Sequence, residues 1–186
     1  MIKSNIKKSK SLLGRLSAKE GEPSMKAVVT LGNGDFEKLY YTDIRIPELM
    51  RTTQEVGTCL ADTPLTTREQ QIAILTIARY WGAKYPWAVQ VRTALKIGVQ
   101  DGIIDAINAQ EKPPIVDARE MLAYEIAKQM LEDKKISDET YASAEEAYSE
   151  VELIALVARI GAFTMTCCTA NAFDVTPPED APARLL

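Results

Sequence analysis

A chain of 186 residues is one ordinary domain in length, enough to bury a core without disulfides or metals. Its composition, 46% hydrophobic and 26% charged, is globular, and no run of 18 apolar residues marks a membrane span. The net charge is −4, and an acidic body argues against broad binding of a phosphate backbone.

That charge is unevenly placed. The first 20 residues carry Lys3, Lys7, Lys8, Lys10, Arg15 and Lys19 against Glu20 alone, a net charge of +5, which leaves −9 for the other 166. The opening segment, residues 1–25, lacks the apolar stretch of a secretory signal. With a single Arg it gives little support to organelle targeting, and it reads as a basic, solvated leader. Residues 26–186 read as the folded domain. Ala27–Leu31 has the look of a short strand, stopped by Gly32-Asn33-Gly34. Pro47–Leu60 reads as a helix.

From Thr66 onward, start and stop signals are dense. Thr66 and Glu69 have the spacing of a capping box ahead of Ile72, Leu75 and Ala78. Gly82 stops that helix, and Pro86 falls in the first turn of the next. Gly98 follows Pro86–Lys96 as a glycine C-cap. A short helix over Gln100–Asn108 leads to the rigid pair Pro113-Pro114. Asp117 with Glu120 and Ser149 with Glu152 repeat the capping-box spacing, and Ser137 is placed to cap a helix running to Tyr148. The last helix, Glu150–Asn171, is apolar on every face from Val151 to Ala158, the pattern of a helix buried in a domain or between subunits. Gly161, Ala162, Ala170 and Ala172 leave room for a close neighbour. The expectation is a single all-α domain of about six helices, with this long helix at its centre.

The available chemistry is narrow. Histidine is absent, which removes the usual acid–base side chain and the commonest metal ligand. Cys59, Cys167 and Cys168 form no CxxC pair, and no metal-binding motif is present. Three cysteines without framework spacing fit a reducing, cytoplasmic setting. Arg159 interrupts the apolar helix and needs a partner, with Glu125 and Glu152 as candidates for an ion pair.

The run LTTREQQIAILTIARYWGAKYPWAVQVRTALKIGVQDGIIDAI (Leu65–Ile107) resembles the core motif of the carboxymuconolactone decarboxylase superfamily, which includes the alkylhydroperoxidase D-like thiol peroxidases. The matching pieces are Arg68-Glu69, the helix ending in W-G-A, the Y-x-W after it, and V-R-x-A-L-x-x-G. Ile44–Thr52 and Leu153–Phe173 resemble further elements of the same family. The resemblance implies an all-α homotrimer or homohexamer with a small-molecule pocket between helices. It implies one of two chemistries, cofactor-free decarboxylation of a carboxylated lactone or peroxide reduction by a dithiol assisted by Glu and His.

Carried over residue by residue, the family's functional positions are all replaced. The dithiol falls on Ala83 and Pro86, the helper Glu on Gln71 and the His on Gln90. Peroxidase chemistry of the usual kind is disfavoured, since neither Ala nor Pro can be oxidised. Decarboxylation leaves a carbanion or enolate that must be stabilised and protonated, and Gln cannot deliver a proton at neutral pH. The leading expectation is a cofactor-free lyase acting on a small carboxylated or lactone-like metabolite. Gln71, Gln90 and Tyr85 are its candidate catalytic residues, and Arg92, Trp87 and Lys84 its candidate substrate contacts. Arg92 is the natural reader of a substrate carboxylate. The alternative is a non-catalytic family member that binds a small ligand or serves as an assembly module. The bland reading of Gln71 and Gln90 is that they satisfy each other or the backbone, and that of Trp87 is ordinary core packing.

Overall fold

The computed structural model describes residues 46–177, 180–182 and 185–186. The leader and the strand expected over Ala27–Leu31 lie outside them. Among the described residues there are seven α-helices and no strand: α1 Pro47–Ala61, α2 Thr67–Tyr80, α3 Lys84–Lys96, α4 Asp101–Ala109, α5 Ala118–Glu132, α6 Asp138–Ala147 and α7 Glu150–Ala172.

Local chemistry sets most of these boundaries. Both expected Thr/Ser–Glu capping boxes form, at Thr66–Glu69 and Ser149–Glu152, each satisfying two backbone donors that the first turn leaves open. Ser137 caps α6 through the Thr140 amide. Asp117 caps α5 through the amides of Arg119 and Glu120, while the Glu120 carboxylate turns away to Arg68, at 2.5 Å. Helix α2 ends in a Schellman turn, with the Gly82 amide on the Arg79 carbonyl and the Ala83 amide on that of Ala78. Gly82 has φ +57 and Gly98, closing α3 in the same way, has φ +83, a region that side chains with a Cβ avoid.

The centre of the domain is α2. All ten residues from Glu69 to Ala78 are buried, and α2 packs against α5, α7, α3 and α4. This corrects the expectation that the last helix is central. The reason is that α2 buries Glu69, Gln70, Gln71 and Thr76 along with its aliphatic residues. Partners on neighbouring helices make that possible, and no sequence pattern displays them. Helix α7 buries Ala155, Leu156, Ile160, Cys167 and Ala170, with Leu153 and Phe163 partly buried against the core. By length and composition it is apolar enough to cross a membrane, yet only 28% of its most apolar window is buried within the chain.

One cation ties four helix ends together. Arg119, in the first turn of α5, donates to Glu69 of α2 through Nε at 2.6 Å and to Glu152 of α7 through Nη2 at 2.6 Å. Its Nη1 donates to the Ala147 carbonyl at the end of α6. Its guanidinium lies 4.5 Å from the centroid of the Tyr148 ring, whose hydroxyl donates to the Arg119 carbonyl. Each capping-box glutamate therefore does double duty, capping its own helix and pairing with one shared arginine.

This junction has an acid limit. The Ser149 backbone amide, followed by the Arg119 guanidinium, pulls the Glu152 carboxyl down to about 2 from an ordinary 4.5. A carboxyl with a depressed folded-state value stabilises fully above its unfolded value and loses that contribution as pH falls through the folded one. Thermal unfolding of the parent and of Glu152→Gln checks this. The variant is expected to melt lower at pH 7, and the gap is expected to close between about pH 4.5 and pH 2. A gap independent of pH over that interval would contradict the assignment.

Candidate functional site

The Gly82 turn folds α3 back along α2 and brings Gln71 against Gln90. The Gln71 Nε2 amide donates to the Gln90 side-chain oxygen at 2.9 Å and to the Gln90 backbone carbonyl at 3.0 Å. Gln71 is 4% exposed. Both of its amide hydrogens have acceptors inside the protein, as a buried amide requires. The pair is neutral and offers no group that titrates in the physiological range.

The other candidates divide by helix face. Trp87 is fully buried in the main core with Ala83, Val91 and Ala94, which places it in packing; its Nε1 has no hydrogen-bond partner among the described residues. Tyr85 is 2% exposed and packs on a separate patch formed with Val89, Ala170 and Val175, with Phe173 alongside. Arg92, two turns on from Tyr85, pairs with Asp180 of the C-terminal segment at 2.5 Å. Lys84 is exposed. The structure therefore joins Gln71 to Gln90, gives Tyr85 and Arg92 neighbours in the C-terminal segment, and leaves Lys84 in solvent. Ala83 and Pro86, where the resemblance would put a dithiol, are both buried.

Two further expectations resolve differently. Arg159 does not pair with Glu125 or Glu152. Its Nη2 donates to the side-chain oxygen of Gln70 at 2.6 Å, because α7 lies across the first turns of α2 and Arg119 already holds Glu152. Burial lowers the Arg159 pKa. Cys167 is buried while its neighbour Cys168 and the distant Cys59 are exposed. Burial pushes the Cys167 thiol up, away from nucleophilic character. Among the described residues, no three His, Cys, Asp or Glu side chains gather into a metal-binding group.

Sequence reasoning passed over Arg119. Three arginines (Arg79, Arg92 and Arg119) lie between the two capping-box glutamates in the chain, so no local signal singled it out. It also passed over a cavity of about 280 Å³ between α2, α4 and α5, lined in part by Arg79 and Tyr124.

No protein-family model and no curated protein matches the sequence. Among solved structures, the chain is similar to a protein of unknown function from Agrobacterium tumefaciens, described as an AhpD-type antioxidant defence protein. The TM-score is 0.68 at 14% identity, over 75% of this chain and 97% of the other. At that identity the likeness speaks for architecture alone. The chain shares the all-helical fold of that AhpD-type protein.

Proposed function

We propose that this chain is a non-catalytic module on the alkylhydroperoxidase D-like scaffold, and that it works as a homo-oligomer, a trimer or hexamer, held by α7. The observation that carries the first half is the Gln71–Gln90 bond. Where the scaffold's chemistries call for ionisable groups, two neutral amides engage each other, and the dithiol-equivalent positions hold Ala83 and Pro86. A proton cannot be delivered at neutral pH by such a set.

The assembly half is supported by the outer face of α7. Between Val151 and Cys168 its exposed residues are Val151, Ile154, Ala158, Gly161, Met165 and Cys168. All are apolar or small, at alternating intervals of three and four. That is the period of a helix–helix seam, and Ala158 and Gly161 at its middle permit close approach. Val151 and Ile154 are 59% and 61% exposed in the isolated chain, an apolar stripe of the kind monomers seldom leave uncovered. The committed occupant is a second copy of α7.

Light scattering after size exclusion tests this. The parent protein is expected at a multiple of the protomer mass, and Ile154→Asp at a smaller one with its helix content kept. Met165→Asp, one half-seam away, serves if the first variant does not fold. A parent protein that elutes at one protomer's mass across concentrations would contradict the assembly.

A lyase reading has one observation in its favour. Arg92 already holds a carboxylate, that of the 84%-exposed Asp180, as a substrate-reading arginine does. Turnover of a carboxylated lactone or β-keto acid that Arg92→Ala and Gln90→Ala both abolish would establish that reading over the non-catalytic one.

A further inference from the structure

The cavity of about 280 Å³ between α2, α4 and α5 is lined by residues other than the Gln71–Gln90 pair. Its size is close to the lower bound of small-molecule sites, about 300 Å³. Ile107, Leu131 and Tyr124 line it and are 3%, 6% and 7% exposed, so its inner wall is dry and partly aromatic. Arg79 supplies the cation. Its Nε donates to the Asn108 backbone carbonyl at 2.6 Å, which fixes the guanidinium plane. Its two Nη atoms make no hydrogen bond among the described residues. The Tyr124 hydroxyl likewise makes none among them.

Charge around the cavity points the same way. Lys128 and Glu132 line it and neutralise each other. The Lys134 ammonium lies 5.3 Å from the Tyr80 ring centroid and donates to the Tyr80 hydroxyl at 3.2 Å. The neighbourhood is therefore cationic on a chain whose net charge is −4. A cation in the last turn of α2 also suits the helix dipole. The dipole accounts for the sign of the charge, but not for a cavity beside two unengaged guanidinium nitrogens.

We propose that this cavity binds a small planar monocarboxylate, with the Arg79 guanidinium taking both carboxylate oxygens and Tyr124 and Leu131 covering the ring. A planar fork matches a carboxylate bidentately, and the volume admits one ring. With Lys128 and Glu132 paired, the one guanidinium matches a single carboxylate. This site is independent of the assembly through α7, so either can fail without the other.

The probe is benzoate, with benzamide as its neutral counterpart of nearly the same shape, titrated calorimetrically into the full chain. Benzoate is expected to saturate, with benzamide at least about tenfold weaker. Arg79→Gln, whose amide can still reach the Asn108 carbonyl, is expected to weaken benzoate about tenfold, and Tyr124→Phe about threefold. Equal affinity for the two probes overturns the proposal. So does full benzoate affinity in folded Arg79→Gln, or no saturation of the parent protein by about 10 mM benzoate. If Arg79→Gln does not fold, the benzoate–benzamide comparison on the parent protein decides.

Discussion

Replacing Arg119 with Met is expected to destabilise the domain by about 3 kcal/mol or more, because it leaves a buried carboxylate without its cation. Glu69 is 1% exposed. Its Oε2 accepts from the Thr66 amide and its Oε1 from Arg119, so Met strands one oxygen in the most buried helix of the fold. The same substitution frees Glu152 and the Ala147 carbonyl and removes the cation from the Tyr148 ring. Those groups are nearer to solvent and their loss weighs less. A loss of this size is a large part of the 5–15 kcal/mol typical of a whole domain. The check is urea unfolding at a fixed protomer concentration, since assembly adds to apparent stability. A second substitution separates a stranded charge from lost packing: Glu69→Gln added to Arg119→Met is expected to recover part of the loss, because a neutral amide still accepts from Thr66. A single variant within about 0.5 kcal/mol of the parent protein, the scatter of ordinary surface changes, would show that the junction is not a determinant of stability.

Trp87→Ala is expected to cost about 3–5 kcal/mol, the range for truncating a large buried aromatic. Trp87 is fully buried in the main core, on one face of α3 with Ala83, Val91 and Ala94, and removing its ring leaves a cavity that such a core closes only in part. Trp87→Phe is expected to cost far less, about 1 kcal/mol. Phe keeps most of the ring volume and removes the buried indole N–H, which has no acceptor among the described residues and so carries an unrecovered desolvation cost. The difference between the two variants, read from far-ultraviolet circular dichroism during denaturation, reports on packing at this position. Were Trp87 instead the wall of an open pocket, both substitutions would be nearly neutral for stability and would act on ligand affinity.

These two residues show what was legible in the sequence. Helix boundaries were, because capping boxes at Thr66–Glu69 and Ser149–Glu152 and the glycines 82 and 98 act over four residues, within which sequence and geometry are nearly the same thing. The all-α architecture followed from them. The identity of the central helix was not. Helix α2 carries Glu69, Gln70, Gln71 and Thr76, which lower its apparent hydrophobicity. The partners that make burial tolerable stand 19 residues away for Gln71, 50 for Glu69 and 89 for Gln70. Helix α7 misled in the opposite sense: its all-round apolar character pointed to the core, whereas half of that character faces outward along one seam.

The candidate site divides along the same line. That Gln71 and Gln90 meet was open to sequence reasoning, since the resemblance aligns both with positions expected to share one pocket. The pairing of Arg92 with Asp180, and of Arg159 with Gln70 in place of a carboxylate, depends on how the C-terminal segment and α7 cross the earlier helices. No local pattern encodes those crossings.

Turnover by the purified full chain is the measurement that bears most directly on the reading of this scaffold as stripped of its chemistry. Two reactions suffice, hydroperoxide consumption in the presence of a dithiol and carbon dioxide release from carboxylated lactones, each followed from pH 5 to pH 9. A neutral glutamine pair in place of acid and base predicts rates at the level of the protein-free reaction throughout. A protein-dependent rate that varies with pH and is lost in Gln71→Ala or Gln90→Ala would contradict it.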